Sequence, residues 1–159
     1  MNPQTIEQQA TILIVDDHES SVELLKALLT SFGYSSIYST MDSREASKMY
    51  SAIRPDLVLL DLHMPHMDGF QVMKQLKELE KESYAPILIL TSQNDKDIRL
   101  KALKEGATDI LNKPLNLAEV MFRIQNILEI RLLHRRVRDQ NKAPDQKVRE
   151  HTEELNQSR

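Results

Sequence analysis

Three solid runs of apolar residues stand out along the chain, at positions 12–15, 57–60 and 87–90. Each run is short and ends at a polar residue, which is typical of strands that are buried on both faces of a parallel sheet. Between the runs, apolar residues recur at helical spacing instead. In the first such segment they are Val22, Leu25, Leu28, Leu29 and Phe32. This alternation of strands and helices predicts an α/β domain.

Two weaker strands and the remaining helices complete the pattern. The strands are predicted near 36–39 and at about 109–111, and the helices over 42–53, 70–81 and 96–105, with a long final helix that opens at Asn116. Gly33 and Gly106 are placed to end helices, because glycine adopts the left-handed conformation that closes a helix. Five strands thus alternate with helices, and helices are expected on both faces of the sheet.

Composition narrows the functional classes. The 159 residues include no cysteine and only three glycines, which excludes a disulfide framework, a thiolate metal site and a glycine-rich phosphate loop. The polar segment 1–10 is expected to be a disordered leader without a secretory signal, and no apolar run approaches the roughly 18–20 residues of a membrane span. We therefore expect a cytoplasmic protein with one domain and an appendage. The net charge of −3 argues against a nucleic-acid binder.

Polar residues directly follow four of the predicted strands: Asp16 and Asp17, Asp61, Thr91, and Lys113. Because the carboxyl ends of parallel strands meet at one edge of a sheet, these side chains are expected to converge there. Crowded carboxylates need a counter-ion, and Mg²⁺ prefers oxygen ligands together with phosphate oxygens. A carboxylate can also act as a nucleophile and form an acyl phosphate. Asp61 follows the most central strand and is the candidate nucleophile, with Lys113 and Thr91 as partners of the phosphoryl oxygens.

Each of these residues taken alone has a plainer explanation. Asp16 and Asp17 could cap the following helix, Asp61 could begin a turn, and Lys113 could be a solvated surface charge. Two other functional classes also stay open: a Mg²⁺-dependent phosphohydrolase with an aspartate nucleophile, and an interaction module that works without phosphorylation. Hydrolases that resemble the haloacid dehalogenase family carry an Asp-x-Asp pair at the first strand, whereas this chain has adjacent aspartates.

Four segments carry a family resemblance: ILIVDD, DLVLLDLHMPHMDG, PILILTS and LNKP. In this order and spacing, residues 11–131 resemble the receiver domain of two-component response regulators. The resemblance implies a flavodoxin-like, five-stranded parallel sheet in the order 2-1-3-4-5, with helices on both faces. It also implies a phosphoryl-accepting switch, not a turnover enzyme, whose phosphoryl donor is a sensor histidine kinase.

The same resemblance implies individual roles at the site. Asp61 would be the phosphoacceptor in a Mg²⁺-dependent reaction. Asp17 and Asp61 would ligate Mg²⁺ directly, Asp16 would act largely through water, and the backbone carbonyl of His63 would complete the metal site. Lys113 would pair its ammonium group with the phosphoryl group.

Three further features follow from the resemblance. Thr91 would be the switch hydroxyl, and the peptide bond before Pro114 would be cis. Ile110 departs from the family pattern, because receivers of this kind usually carry Tyr or Phe three residues before the lysine. The aromatic part of the usual switch is therefore absent, which leaves phosphorylation itself unaffected. His63 and Gln93, which border the path of the attacking water in this family, are hypothesised to set the lifetime of the phosphorylated state.

Residues 132–159 are predicted to form a helical coiled-coil linker. Eight Lys/Arg and five Asp/Glu between 131 and 159 give this end a charge of +3, against −6 for the rest. Apolar positions from Ile130 onwards recur in an eleven-residue pattern, which predicts a homodimer through the C-terminal helix. Pro144 is expected to kink or restart that helix. The alternative is a frayed, charged helix, and the basic stretch 131–138 is expected to be a solvated face and not a nucleic-acid contact.

The linker resembles the segment between receivers and phosphodiesterase domains of HD-GYP type. It therefore implies an output module that hydrolyses cyclic di-GMP, although similar linkers precede GGDEF and histidine-kinase modules. No such module follows in this sequence, so we expect either a part of a longer regulator or a stand-alone one.

Overall fold

A five-stranded parallel sheet forms the centre of the computed structural model, which describes residues 5–80, 84–92 and 95–147, the last thirteen by their backbone. The strands lie in the order β2-β1-β3-β4-β5, and every neighbouring pair is parallel. The predicted fold class and strand order are therefore confirmed. The strands are β1 (Thr11–Val15), β2 (Ser36–Thr40), β3 (Leu57–Leu60), β4 (Ile87–Thr91) and β5 (Asp109–Asn112).

The helices alternate with these strands as predicted, with small differences in their bounds. A 3₁₀ turn at Ser43–Glu45 precedes α3, because the Asp42 side chain caps the Arg44 amide. Gly33 and Gly106 follow α2 and α5 with φ angles of 96° and 117°, which confirms their place at helix ends. The helices are α1 (Ile6–Gln9), α2 (Glu19–Ser31), α3 (Ala46–Ile53), α4 (Gly69–Leu79), α5 (Lys96–Lys104) and α6 (Leu117–Lys147).

The sheet separates two hydrophobic clusters. Ile12 and Ile14 of β1 face a cluster covered by α2 and α6, whereas Leu13 and Val15 face a cluster covered by α3, α4 and α5. Successive side chains of a strand point to opposite faces, so the central strands β1, β3 and β4 need apolar residues at nearly every position, whereas the edge strands β2 and β5 are less buried. This two-sided burial explains the solid apolar runs of the sequence.

The N-terminal segment differs from the predicted disordered leader over 1–10. Thr5 and Gln8 cap α1 reciprocally, each side chain accepting a hydrogen bond from the other residue's amide. Ile6 packs against the cluster that α2 and α6 cover, and α1 contacts α6. The apolar surface that Ile6 buries offsets the entropy of ordering this turn. The prediction is therefore wrong for residues 5–10, and residues 1–4 lie outside the described part.

The final helix, α6, is continuous over 31 residues and passes through Pro144. The predicted restart at this proline is not seen, since a proline removes one backbone donor while neighbouring hydrogen bonds can persist. The coiled-coil tail and the boundary at 131 stay predictions, and residues 148–159 lie outside the described residues. Among the helices described, none has the length and apolar content to cross a bilayer.

Candidate functional site at the carboxyl edge of the sheet

The sheet's own hydrogen bonds extend one step past three strand ends and fix the residues of the site. The amide of Asp16 donates to Thr40 O at 3.2 Å, that of Asp61 to Val15 O at 3.0 Å, and that of Lys113 to Thr91 O at 2.9 Å. A hydrogen bond to a neighbouring strand therefore holds the backbone of Asp16, Asp61 and Lys113 in place. The strand-end residues of β1, β3 and β5 consequently share one edge.

Lys113 joins two of the predicted acids. Its Nζ lies 2.8 Å from Asp16 Oδ2 and 3.5 Å from Asp61 Oδ2. The Lys113–Pro114 peptide bond is cis, as the resemblance implied. Lys113 Nζ also lies 3.3 Å from Ser21 Oγ in the first turns of α2. The ammonium group thus bridges the ends of β1 and β3 from β5.

The acidic residues form a pocket of oxygen atoms. Asp16 and Asp61 are almost fully buried, and Asp17 is partly exposed. Asp17 Oδ1 is buried and accepts no hydrogen bond from any described residue. Together with His18, the three acids offer ligand atoms that all lie within 4.8 Å of one another. An unsatisfied buried oxygen among hard carboxylate donors fits a site for Mg²⁺.

The environment of Asp61 opposes its ionisation. Burial raises the pKa of Asp61, the Lys113 ammonium opposes that rise, and the charge of Asp16 adds to it. The net direction is upward because removal of the carboxyl group from water outweighs the attraction of the ammonium group. A divalent cation beside Asp61 would stabilise its charged form.

The loop after Asp61 is held close to the site by backbone contacts. The amide of His63 donates to Asp61 Oδ1 across 3.4 Å, and Ser43 Oγ donates to Pro65 O at 3.1 Å. A Cβ on Gly69 would lie 2.6 Å from the carbonyl oxygen of Asp61, so only glycine fits at that position. These contacts place the main chain of His63 beside the carboxylate, while its role as a metal ligand stays a prediction.

The remaining predicted residues have different outcomes. Thr91 is fully buried at the end of β4, which pairs with β3, the strand that Asp61 follows. Ile110 is also fully buried, where it packs within the cluster that α3, α4 and α5 cover. Gln93 lies outside the described residues. Ile110 therefore belongs to the core.

Sequence reasoning missed His18 and Ser21. His18 Nδ1 lies 3.2 Å from Asp17 Oδ1, and Ser21 Oγ contacts Lys113. The position of His18 directly after the acidic pair was a usable signal. Ser21 gave none, because its contact depends on the angle at which α2 leaves β1.

Comparison with known proteins agrees with this geometry. Residues 12–125 match the family model described as response regulator receiver domain. Response regulator PleD of Caulobacter vibrioides is 36% identical over 124 residues, which are 78% of this chain and 27% of PleD. The alkaline phosphatase synthesis transcriptional regulatory protein PhoP of Bacillus subtilis is 39% identical over 117 residues, which are 74% of this chain and 48% of PhoP. The chain thus spans about a quarter to a half of the length of these relatives.

A solved structure shows the same fold. A chain in the crystal structure of the CheX–CheY–BeF₃–Mg²⁺ complex from Borrelia burgdorferi matches with a TM-score of 0.70 at 30% identity. The match covers 74% of this chain and 88% of that one. The likeness therefore extends over most of both chains.

Proposed function

Because the chain belongs to the response regulator receiver domain family, we propose that Asp61 accepts a phosphoryl group from the phosphohistidine of a sensor histidine kinase. The observation that carries this proposal is the position of Lys113 Nζ, 2.8 Å from Asp16 Oδ2 and 3.5 Å from Asp61 Oδ2. An ammonium group in that place can pair with an oxygen of the transferred phosphoryl group.

The chemistry of the step follows from the pocket. A carboxylate oxygen of Asp61 forms the bond to phosphorus while the bond from phosphorus to the imidazole nitrogen of the donor breaks. Asp17 and Asp61 would hold Mg²⁺ directly, with Asp16 acting through water and the His63 carbonyl completing the set. When bound, Mg²⁺ supplies positive charge that neutralises the carboxylates and the phosphoryl oxygens. The ammonium group of Lys113, which follows β5, supplies a second positive charge.

The product is a modified protein, and this distinguishes the proposal from a phosphohydrolase. The acyl phosphate on Asp61 stores the signal until water removes it, and His63 is proposed to influence that lifetime. The buried hydroxyl of Thr91 is proposed to donate a hydrogen bond to the phosphoryl group and so report the modification to the neighbouring β4–α5 region. Because Ile110 is packed in the core, Thr91 and Lys113 would transmit the effect of phosphorylation without an aromatic side chain.

The signal is proposed to leave the domain through α6. Phe122, Ile130 and Leu133 are each more than half exposed on this helix, on the side opposite its core residues. We place the contact of a homodimer there, with residues 132–159 as the coiled-coil linker to an output module. The output proposed is a cyclic di-GMP phosphodiesterase of HD-GYP type, which hydrolysis of cyclic di-GMP by the full-length protein would test.

The central experiment exposes the chain to a small phosphodonor such as acetyl phosphate with Mg²⁺ and measures intact mass. We expect one added phosphoryl group on the wild type, none on Asp61→Asn, and one on the control Asp42→Asn, since Asp42 pairs with Arg44 and is not part of the acidic cluster. Omission of Mg²⁺ should also prevent the addition. Phosphate release over many turnovers without a stable labelled protein would instead support a phosphohydrolase.

A further inference from the structure

His18 borders the acidic pocket and has no part in the roles proposed above. Its imidazole Nδ1 lies 3.2 Å from Asp17 Oδ1, 3.4 Å from Asp16 Oδ1 and 3.8 Å from Asp61 Oδ2. One ligand atom from each of these four residues falls within 4.8 Å of all the others. That spread is close to the separation of ligands around one divalent ion, whose bonds to nitrogen and oxygen are about 2.0–2.2 Å long.

The contacts of His18 leave its ring available to an ion. Asp17 Oδ1 has no hydrogen-bond partner among the described residues, although the imidazole nitrogen is 3.2 Å away, so these two atoms are close without being bonded. The contact of Nδ1 with Asp16 Oδ1 is long at 3.4 Å. The side chain of His18 is 62% exposed, which lets the ring turn towards the pocket with little loss of packing.

The main chain, by contrast, holds His18 at the pocket. Its amide donates a hydrogen bond to Asp16 Oδ1 at 2.9 Å, and its carbonyl accepts the first hydrogen bond of α2 from Val22 N. The residue thus has a fixed backbone and an adjustable ring. A ring of this kind can reach an ion held by the carboxylates without a change in the fold.

We infer that His18 supplies a nitrogen ligand to the ion held by Asp17 and Asp61, and that the site therefore favours a divalent first-row transition ion such as Co²⁺ over Mg²⁺ more strongly than a site of oxygen ligands would. Imidazole is a ligand suited to transition ions, whereas Mg²⁺ selects oxygen and keeps several of its waters. The inference rests on the proposed function because it uses the same acidic pocket.

The test measures the dissociation constants of Mg²⁺ and Co²⁺ separately, by calorimetry on the whole chain. We expect His18→Ala to weaken Co²⁺ binding by about 10-fold or more, as loss of a ligand or of its support usually does, and to change Mg²⁺ binding by less than about 3-fold. The matched control is His134→Ala, which removes an exposed histidine of α6 that is not part of the cluster. It should leave both constants unchanged.

A spectroscopic readout on the wild-type protein keeps the test independent of how the variant folds. Coordination of Co²⁺ by an imidazole gives a proton resonance of the ring N–H that is strongly shifted and exchanges with solvent. We expect this resonance in the wild type and in His134→Ala, and its loss in His18→Ala.

Equal weakening of both ions in His18→Ala, no weakening of either, or the absence of the shifted resonance in the wild type would overturn the inference. These results leave phosphorylation of Asp61 with Mg²⁺ intact, so they concern His18 alone. Failure of the wild type to bind either ion would contradict the proposed function as well, because the pocket would then hold no metal.

Discussion

At Asp61, opposing effects act on one carboxyl group. Burial raises its pKa, the ammonium of Lys113 opposes the rise, and the charge of Asp16 adds to it. The raised pKa means that the folded protein binds this proton more tightly than the unfolded chain does. Stability is therefore complete at a pH below the ordinary aspartate range and is lost as the pH rises through the raised pKa. At neutral pH the charged Asp61 destabilises the fold in the absence of metal.

Removal of that charge gives the first prediction. In EDTA at about pH 7, Asp61→Asn should have a higher melting temperature than the wild type, and the difference should vanish below about pH 4, where the unfolded carboxyl is also protonated. Thermal unfolding across this range measures it. Asp42→Asn is the control and should lower the melting temperature at neutral pH. Hydrogen bonds from Arg44 lower the pKa of Asp42, so the folded protein stabilises the charged form of this residue. A melting temperature of Asp61→Asn at or below that of the wild type at neutral pH would contradict the destabilising effect that we assign to the buried charge of Asp61.

Gly69 gives a second prediction at the scale of one residue. A Cβ there would meet the carbonyl oxygen of Asp61 at 2.6 Å and Leu62 Cα at 2.9 Å, and neither backbone atom can move without displacing the site. Gly69→Ala should therefore lower the free energy of unfolding by about 1–3 kcal/mol, as overpacking does, and slow phosphorylation of Asp61. Urea denaturation measures the first effect. Lys74→Ala, on the exposed side of the same helix, serves as control and should change neither quantity.

The sequence predicted the buried acids because each follows a solid apolar run, and it predicted Lys113 from the weaker last strand, since strand ends in a parallel sheet must share an edge. Asp16, Asp61 and Lys113 could be placed in this way before any coordinates. The positions of His18 and Ser21 could not, since their contacts depend on the entry angle of α2 and on side-chain rotamers. The spacing of residues along the sequence gives neither the entry angle of the helix nor the rotamers.

At the scale of an element, α1 shows where composition misleads. The segment is mostly polar, yet Ile6 packs against the cluster that contains Leu128 and Leu132 of α6, and Ala10, just after α1, is a buried member of it. A disordered leader and a docked turn have nearly the same composition, and they differ by one or two apolar side chains that find a tertiary partner. Strands were easier to predict, because burial on both faces leaves a pattern within the strand itself.

The docking of α1 gives the third prediction. Ile6→Ala should lower the free energy of unfolding by about 1–3 kcal/mol, because a partly buried isoleucine loses most of its apolar contact. Chemical denaturation monitored by circular dichroism measures it. Glu7→Gln, which keeps the size of its side chain on the same turn, should have a smaller effect. Equal stability of Ile6→Ala and the wild type would show that α1 contributes nothing to the fold.

At the scale of the whole molecule, α6 has two apolar faces. Val120, Ile124 and Leu128 face the core. Three exposed residues form a row about half a turn around the helix, within an arc of about 80° at 3.6 residues per turn: Phe122, Ile130 and Leu133. Exposed apolar residues grouped on one side of a helix are typical of helix pairing. At about 1.5 Å per residue, the 31 residues of this helix span roughly 46 Å, which is long enough for two such helices to pair along their length.

The last prediction tests that pairing. Ile130→Asp and Leu133→Asp should each convert a dimer to a monomer, because a charge in an apolar helix contact is left without a partner. Sedimentation equilibrium at several protein concentrations measures the mass. Leu100→Asp is the matched control, because Leu100 is an equally exposed leucine on α5 and lies outside the row. Removal of the residues beyond Leu132 should also abolish the dimer. Loss of the dimer in Leu100→Asp but not in Ile130→Asp would move the contact to α5, and α6 could then not be the element through which phosphorylation changes the pairing of two chains.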